Sequence, residues 1–461
     1  MESKELQTPS AISILSQDVL LEILFRVRDL YYEQQKTRFC HDAAAVSSSW
    51  RDLLHSTPLW WNDLYVPYLV NLDLIRRHLT LGKETTLRLQ LVEPNILYNA
   101  NKLVDLIVLH LKRCWYICFE GEADKETAFH LTGSILSNPD LPLLRHLTVN
   151  IVGKANNEVN IATRLSTWKS LTTLRLGGSM MMNWTHPESP MPHLTHLHLA
   201  RARGTFAKQI RFSNFGKVLL LCPNLTLLAL YDDILSYPLE VQDERITHNH
   251  LESILILGNM LNVSEFLVYV DAPKLRELVI SPVVAGDFRR LDDLPLSACQ
   301  NKFRSLTKLT LGLAHYGAVT EWHKVSDYFP NVNTLLFVTV YTVEFKKLFM
   351  RRPWMFPNMT HLGVTDVNEA FVSIVMDLAG KKKEQCGGAG VRLQRLSLDS
   401  QSYKKARGVV EQNEGLLGRL GLDVVCADLW EEQRLQVLYT RNKGMFVGET
   451  DVETDSDSDD Y

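Results

Sequence analysis

No stretch of this 461-residue sequence is apolar for long enough to cross a bilayer. A spanning helix takes roughly 18 or more uninterrupted apolar residues. The best candidate, 251–270, is broken by Glu252, Asn259, Asn262 and Glu265. The N-terminal Met-Glu-Ser-Lys-Glu-Leu-Gln-Thr-Pro-Ser lacks the basic start and the apolar run of a secretory signal. Cysteine is sparse: seven residues, odd in number and scattered at 40, 114, 118, 222, 299, 386 and 426. That pattern is expected of reduced thiols in the cytoplasm or nucleus, not of a disulfide framework. Excess charge is missing too. The net charge is −4, but the last thirteen residues hold seven acids and no Lys or Arg, so residues 1–448 carry +3. A body so near neutral offers no footprint for nucleic acid or an anionic membrane. With 46% hydrophobic and 22% charged residues, the bulk has the composition of a folded chain. Its length suits two or three domains, or one array that grows by repetition.

Catalytic constellations are also absent. No Ser/His/Asp, Cys/His or paired-carboxylate set stands out, so the chain is not expected to be an enzyme or to hold a cofactor or metal. His196-x-His198 would put two imidazoles on one strand face, but tetrahedral zinc needs two further ligands and only His193 is near; the pair reads as polar surface. Cys114-x-x-x-Cys118 has no matching second pair and reads as a core element. Gly387-Gly-Ala-Gly390 lacks the Lys-Ser/Thr of a phosphate cradle. With Lys381–Lys383 it reads as a basic, Gly-rich loop. Thr454, Ser456 and Ser458 lie among acids, a context that acidophilic kinases favour, although such a run is equally a plain solvated tail.

What is present divides in two. Near the N-terminus Ser16 can cap a helix with Asp18 in its first turn. Leu15, Val19, Leu20, Ile23 and Leu24 then recur at helical steps. Residues 30–41 are polar and aromatic and read as a connector. From about Asp42 a second helix puts Ala45, Val46, Ser49, Trp50, Leu53 and Leu54 on one side, and Thr57-Pro58 stops it. Trp60, Trp61 and Leu64 follow as an apolar exit.

Beyond this, an Leu-x-x-Leu-x-Leu unit recurs ten times, starting at Leu144, Leu171, Leu194, Leu225, Leu251, Leu275, Leu306, Val332, Met359 and Leu393. The mean step is about 28 residues, within the ~20–29 of leucine-rich repeats. Pro192, Pro223, Pro273, Pro330 and Pro357 stand just ahead of units, where proline ends a helix and sets an extended entry. Leu87–Leu91 and Trp115–Phe119 look like strands of degenerate first repeats.

The N-terminal residues resemble the F-box, in the F-box-like form common in mushroom-forming fungi. That family opens Leu-Pro-x-Glu-Ile-Leu-x-x-Ile-Phe, and Leu15-Ser-Gln-Asp18-Val19-Leu20-Leu-Glu-Ile23-Leu24 falls on it. It continues Val-Cys-x-x-Trp-Arg, matched by Val46-Ser-Ser-Ser-Trp50-Arg51. It closes Ser-Thr-Pro-x-Leu-Trp, followed by Ser56-Thr57-Pro58-Leu-Trp-Trp61. Ser16 replaces the family proline and Ser47 the usual cysteine. The motifs cover about fifty residues, and the repeats resemble those that usually follow this F-box.

The resemblance implies an α/β chain: a three-helix F-box followed by a leucine-rich-repeat solenoid with a curved parallel sheet and outer helices. The expected boundaries are a flexible N-terminus (1–10), an F-box-like domain (11–64), the repeats (65–446, degenerate over 65–140) and a disordered acidic tail (447–461). It further implies a non-catalytic substrate receptor of an SCF-type cullin–RING ubiquitin ligase. The F-box would dock on a Skp-type adaptor through Leu15, Val19, Leu20, Ile23, Val46, Trp50 and Leu53, and the repeats would hold a substrate protein. The alternative is a repeat scaffold with no ligase role. Side chains alternate along a strand, so Leu227, Tyr231, Leu255, Leu257, Leu336 and Val338 should point away from the core and form an apolar substrate patch on the concave face. If a loop or the C-terminal segment covers that face, or the register shifts by one, they are buried instead.

Overall fold

The computed structural model describes residues 15–66, 71–92, 100–122, 127–138, 141–152, 165–178, 189–200, 209–236, 245–258, 263–283, 288–313, 322–338, 345–346, 349–350, 352–385 and 392–427. The tail from 447 and the segments 1–14 and 386–391 lie outside them. The chain forms two compact units, Met1–Trp184 and Thr185–Tyr461.

The first unit opens with three helices, α1 (Gln17–Leu30), α2 (Glu33–Ala45) and α3 (Ser48–His55). Ser16 caps α1, its hydroxyl accepting from the Val19 N–H, and Asp18 sits in the first turn. Ser47 caps α3 in the same way, accepting from the Trp50 N–H. Ser16 and Ser47 are therefore both helix caps. The expected connector over 30–41 is instead most of a helix. Its buried stripe is small and weakly apolar (Thr37, Cys40, Ala43, Ala44), so hydrophobic periodicity passes it by. Pro58–Trp61 forms one 3₁₀ turn. Trp60 and Trp61 are no exit segment but the centre of the module, fully buried among Leu20, Leu24, Cys40, Leu53 and Leu54. Each indole N–H finds a carbonyl, Trp61 on Leu54 at 2.9 Å and Trp60 on Cys40 at 3.4 Å, as buried indoles require.

Five parallel strands follow: β1 (Asp63–Val66), β2 (Leu87–Val92), β3 (Cys114–Glu122), β4 (His146–Val152) and β5 (Thr173–Gly178). Helices α4 (Leu72–Leu81), α5 (Ala100–Val108) and α6 (Thr127–Leu136) lie between the first four. Registered partners carry the pattern: Leu64 on Leu89, Leu89 on Ile117, Ile117 on Leu147, Leu147 on Leu174. Parallel ladders with a helical crossover are the βαβ solution for a strand that needs cover.

The second unit repeats the scheme with β6 (His196–Ala200), β7 (Ile210–Arg211), β8 (Leu227–Tyr231), β9 (Leu235–Ser236), β10 (Ile246–Thr247), β11 (Ser253–Leu257), β12 (Val270–Asp271), β13 (Glu277–Val283), β14 (Lys308–Leu313), β15 (Thr334–Val338), β16 (His361–Val364), β17 (Arg395–Leu398) and β18 (Asp423–Cys426). The two-residue strands pair with one another, β7 with β9 and β10 with β12. The others stack in parallel, and one leucine position runs through them: Leu197, Leu228, Ile254, Leu278, Leu309, Leu335, Leu362, Leu396, Val424. This is a leucine-rich-repeat stack. All ten sequence units fall on strands, and β18 adds one that the pattern does not reveal.

The proline punctuation has a second physical role. Asn224, Asn331 and Asn358 each follow a proline and donate to the carbonyl of Pro192, Arg304 and Pro330, one repeat back, at 2.8–2.9 Å. Ser305 does the same to Pro273 at 2.7 Å. These bonds tie turn to turn. The intervals vary because the helices do, from seven residues (Val263–Tyr269) to seventeen (Glu369–Gln385). The latter helix corrects the loop expected from 381. Lys382 lies within it and is buried, its Nζ donating to the carbonyls of Met355 and Phe356 at 3.1 Å. Among the described residues, no helix is long and apolar enough to cross a membrane.

Candidate functional site

The residues expected to meet an adaptor separate into two groups. Leu20 (9% exposed) and Leu53 (8%) belong to the module's own core, and Trp50 packs half-buried against it. The expectation that Leu20 and Leu53 form the docking surface is thus corrected: a three-helix module this small needs them inside. Val19 (48%), Ile23 (42%), Leu15 and Val46 (64%) are exposed. Val19 and Ile23 are four residues apart, which places them one above the other along α1, and Leu15 stands just ahead of its Ser16 cap.

On the sheet, the register of the second unit is as expected and the exposure is not. Ala229, Leu255 and Val279 are partners on β8, β11 and β13, offset by one from the core line. They form a separate apolar cluster in which Ala229, Leu255 and Leu257 are buried and Leu227, Tyr231 and Val279 partly so. Leu336 is buried and Val338 half-buried on β15. The expected open patch is therefore corrected in part: Leu255, Leu257 and Leu336 are buried, and Leu227, Tyr231 and Val338 remain half-buried. The reason is bulk: neighbouring strands lie ~4.8 Å apart, so adjacent large apolar side chains cover one another.

The same face of the first unit is polar, which sequence reasoning missed. Arg88 lies 4.8 Å over the Tyr116 ring and 3.4 Å from the Asp63 carboxylate. Glu120 and Asn150 are register partners beside them. Burial raises the Glu120 carboxyl, and Asn150 Oδ1 has no hydrogen-bond partner among the described residues. Gly177 opposite Asn150 makes room for that amide, since a Cβ there would meet Oδ1 at 2.5 Å. For Arg88, Tyr116 and Glu120 the signal lay in the alternate positions of the two strands read as degenerate repeats, and for Asn150 and Gly177 in regular units, one step past the last consensus position.

A second missed cluster surrounds Trp61. His41 of α2 and His78 of α4 have ring centroids 5.5 Å apart, and each lies within 5.3 Å of the Trp61 ring. His78 is wholly buried, and neither ring nitrogen makes a well-formed hydrogen bond. Burial, then neighbouring charge, holds His41 down to about 4 and His78 to about 3.

Nothing in the described residues reads as a reaction centre. Burial pushes the Cys40, Cys114 and Cys222 thiols up to about 12 and Cys299 to about 11, so they are neutral. Both Cys114 and Cys118 are buried on β3. His196 Nδ1 meets Thr195 Oγ1 at 2.8 Å and His198 Nδ1 meets the Tyr231 hydroxyl at 3.1 Å. The described residues contain no group of three metal-ligating side chains.

No protein-family model matches the sequence, and a search of the curated proteins finds no match. Among solved structures the chain is similar to a leucine-rich-repeat protein of Leptospira interrogans. The two are 14% identical, over 80% of this chain and 97% of that one, with a TM-score of 0.28. That likeness is loose; the repeat fold is read from the strand register itself.

Proposed function

We propose that this chain is a non-catalytic receptor that holds a substrate protein on its repeats and docks through its N-terminal helices on a Skp-type adaptor, and so on a cullin–RING ubiquitin ligase. It would act in the cytoplasm or nucleus. One observation carries the reading: Val19 and Ile23 stand exposed one turn apart on α1, with Leu15 exposed just ahead of it, while Leu20 and Leu24 help build a core around Trp60 and Trp61. Exposed aliphatic groups of this kind mark contact surfaces, and such contacts draw most of their energy from a few central anchors. The F-box resemblance supplies the partner. Co-expression with a Skp-type adaptor tests it. The wild type should co-purify with adaptor, and Val19→Asp with Ile23→Asp should not, while remaining folded. A wild type that never retains adaptor leaves the second reading, a repeat scaffold without a ligase, which the stacked strands support on their own.

A further inference from the structure

We infer that the joint between the N-terminal helices and α4 is an acid-sensitive latch, closed by the His41–Trp61–His78 ring cluster and opened when the two imidazoles take up protons. The geometry places every part. His41 comes from α2, Trp61 from the 3₁₀ turn and His78 from α4, and the three rings contact one another at 5.1–5.5 Å. His78 is enclosed completely, and its ring nitrogens and His41 Nε2 lack well-formed hydrogen bonds. An imidazolium there would be a desolvated cation with the Asp63 backbone as its one favourable contact among the described residues, which leaves the charge poorly compensated.

The surrounding charges act in the same direction. His78 faces His41, Arg113 and Arg28, with only the Asp63 backbone opposing. His41 faces Arg77 and His55, with only Asp42 opposing. Arg113 cannot move away: its guanidinium donates to the carbonyls of Leu79 at 2.9 Å and Thr85 at 3.2 Å. His55, the outer member, stands 5.9 Å from Trp61 and 3.2 Å from Arg77.

The sign follows. Both folded values lie below the ordinary 6.5, so the neutral form belongs to the closed state. Closure is fully supported above pH 6.5 and weakens as pH falls from there toward about 3. At pH 5 the opening constant should exceed its value at pH 8 by about thirtyfold from His78 alone. The proposal does not depend on which partner the helices take.

Hydrogen exchange on the full chain between pH 8 and 5, corrected for intrinsic rates, tests it. Residues 33–61 and 72–81 should lose protection at least tenfold more than β8 to β15 of the second unit. His78→Phe should flatten that dependence, and His41→Gln, a change at a half-buried position, should reduce it. Unchanged protection in 33–61 and 72–81 of the wild type would overturn the latch. So would a loss shared equally by all strands, which is global acid unfolding, or a pH response kept intact in both variants.

Discussion

Leu255 shows that the face a side chain takes and its exposure are separate questions. Alternation along Ser253–Leu257 places Leu255 opposite the core leucines, and it is nonetheless buried with Ala229 and Leu257. A carboxylate there would be enclosed without a partner, at a penalty of several kcal/mol. Leu255→Asp should therefore lower the thermal midpoint sharply or prevent folding; a variant that melts like the wild type would show that this cluster opens to solvent. The face was legible in the sequence because strand periodicity is two. Its burial was not, because that depends on which large side chains the ladder sets side by side. Trp60 and Trp61 carry the converse lesson. They follow a helix-stopping proline, and only the fold shows that they turn back into the three-helix core.

At the scale of elements, the strands could be read and the helices only in part. Within each unit every strand repeats one leucine position against its neighbour, so the signal is renewed from Leu147 to Leu174 and again from Leu197 to Leu396. Helix α2 announces itself weakly because Thr37, Cys40, Ala43 and Ala44 make a stripe without a large aliphatic residue. Its stability comes from what it covers. Trp61→Ala should remove the ring that α2, α3 and α4 share, together with its bond to the Leu54 carbonyl. The expected loss is about 3–5 kcal/mol, read by denaturant unfolding followed through helix-localised exchange. A loss below about 1 kcal/mol would mean that the module does not pack around this ring.

Across the whole molecule, the two units share one construction rule and differ on the second face of the sheet. On that face Arg88, Glu120 and Asn150 stand on β2 to β4 of the first unit, and Ala229, Leu255, Leu257 and Val279 cluster on β8, β11 and β13 of the second. The alternation that places these side chains could be read from the sequence; Arg88 and Glu120 were harder to place because β2 and β3 deviate from the repeat consensus, and Asn150 because it lies beyond the consensus positions of its unit. The helices at the N-terminus end in a different kind of surface, the exposed group of Leu15, Val19 and Ile23. On the sequence alone that group was blended with Leu20 and Leu53, since helical spacing does not tell which apolar residues a small module keeps for itself. The receptor reading rests on this group. Isothermal titration of the purified full-length chain with a purified Skp-type adaptor tests it most directly. A saturable one-to-one complex is predicted, lost in the folded Val19→Asp/Ile23→Asp variant and kept in Asn358→Ala, which alters only a turn between repeats. No binding by the folded wild type, or equal binding by the α1 variant, would contradict the account.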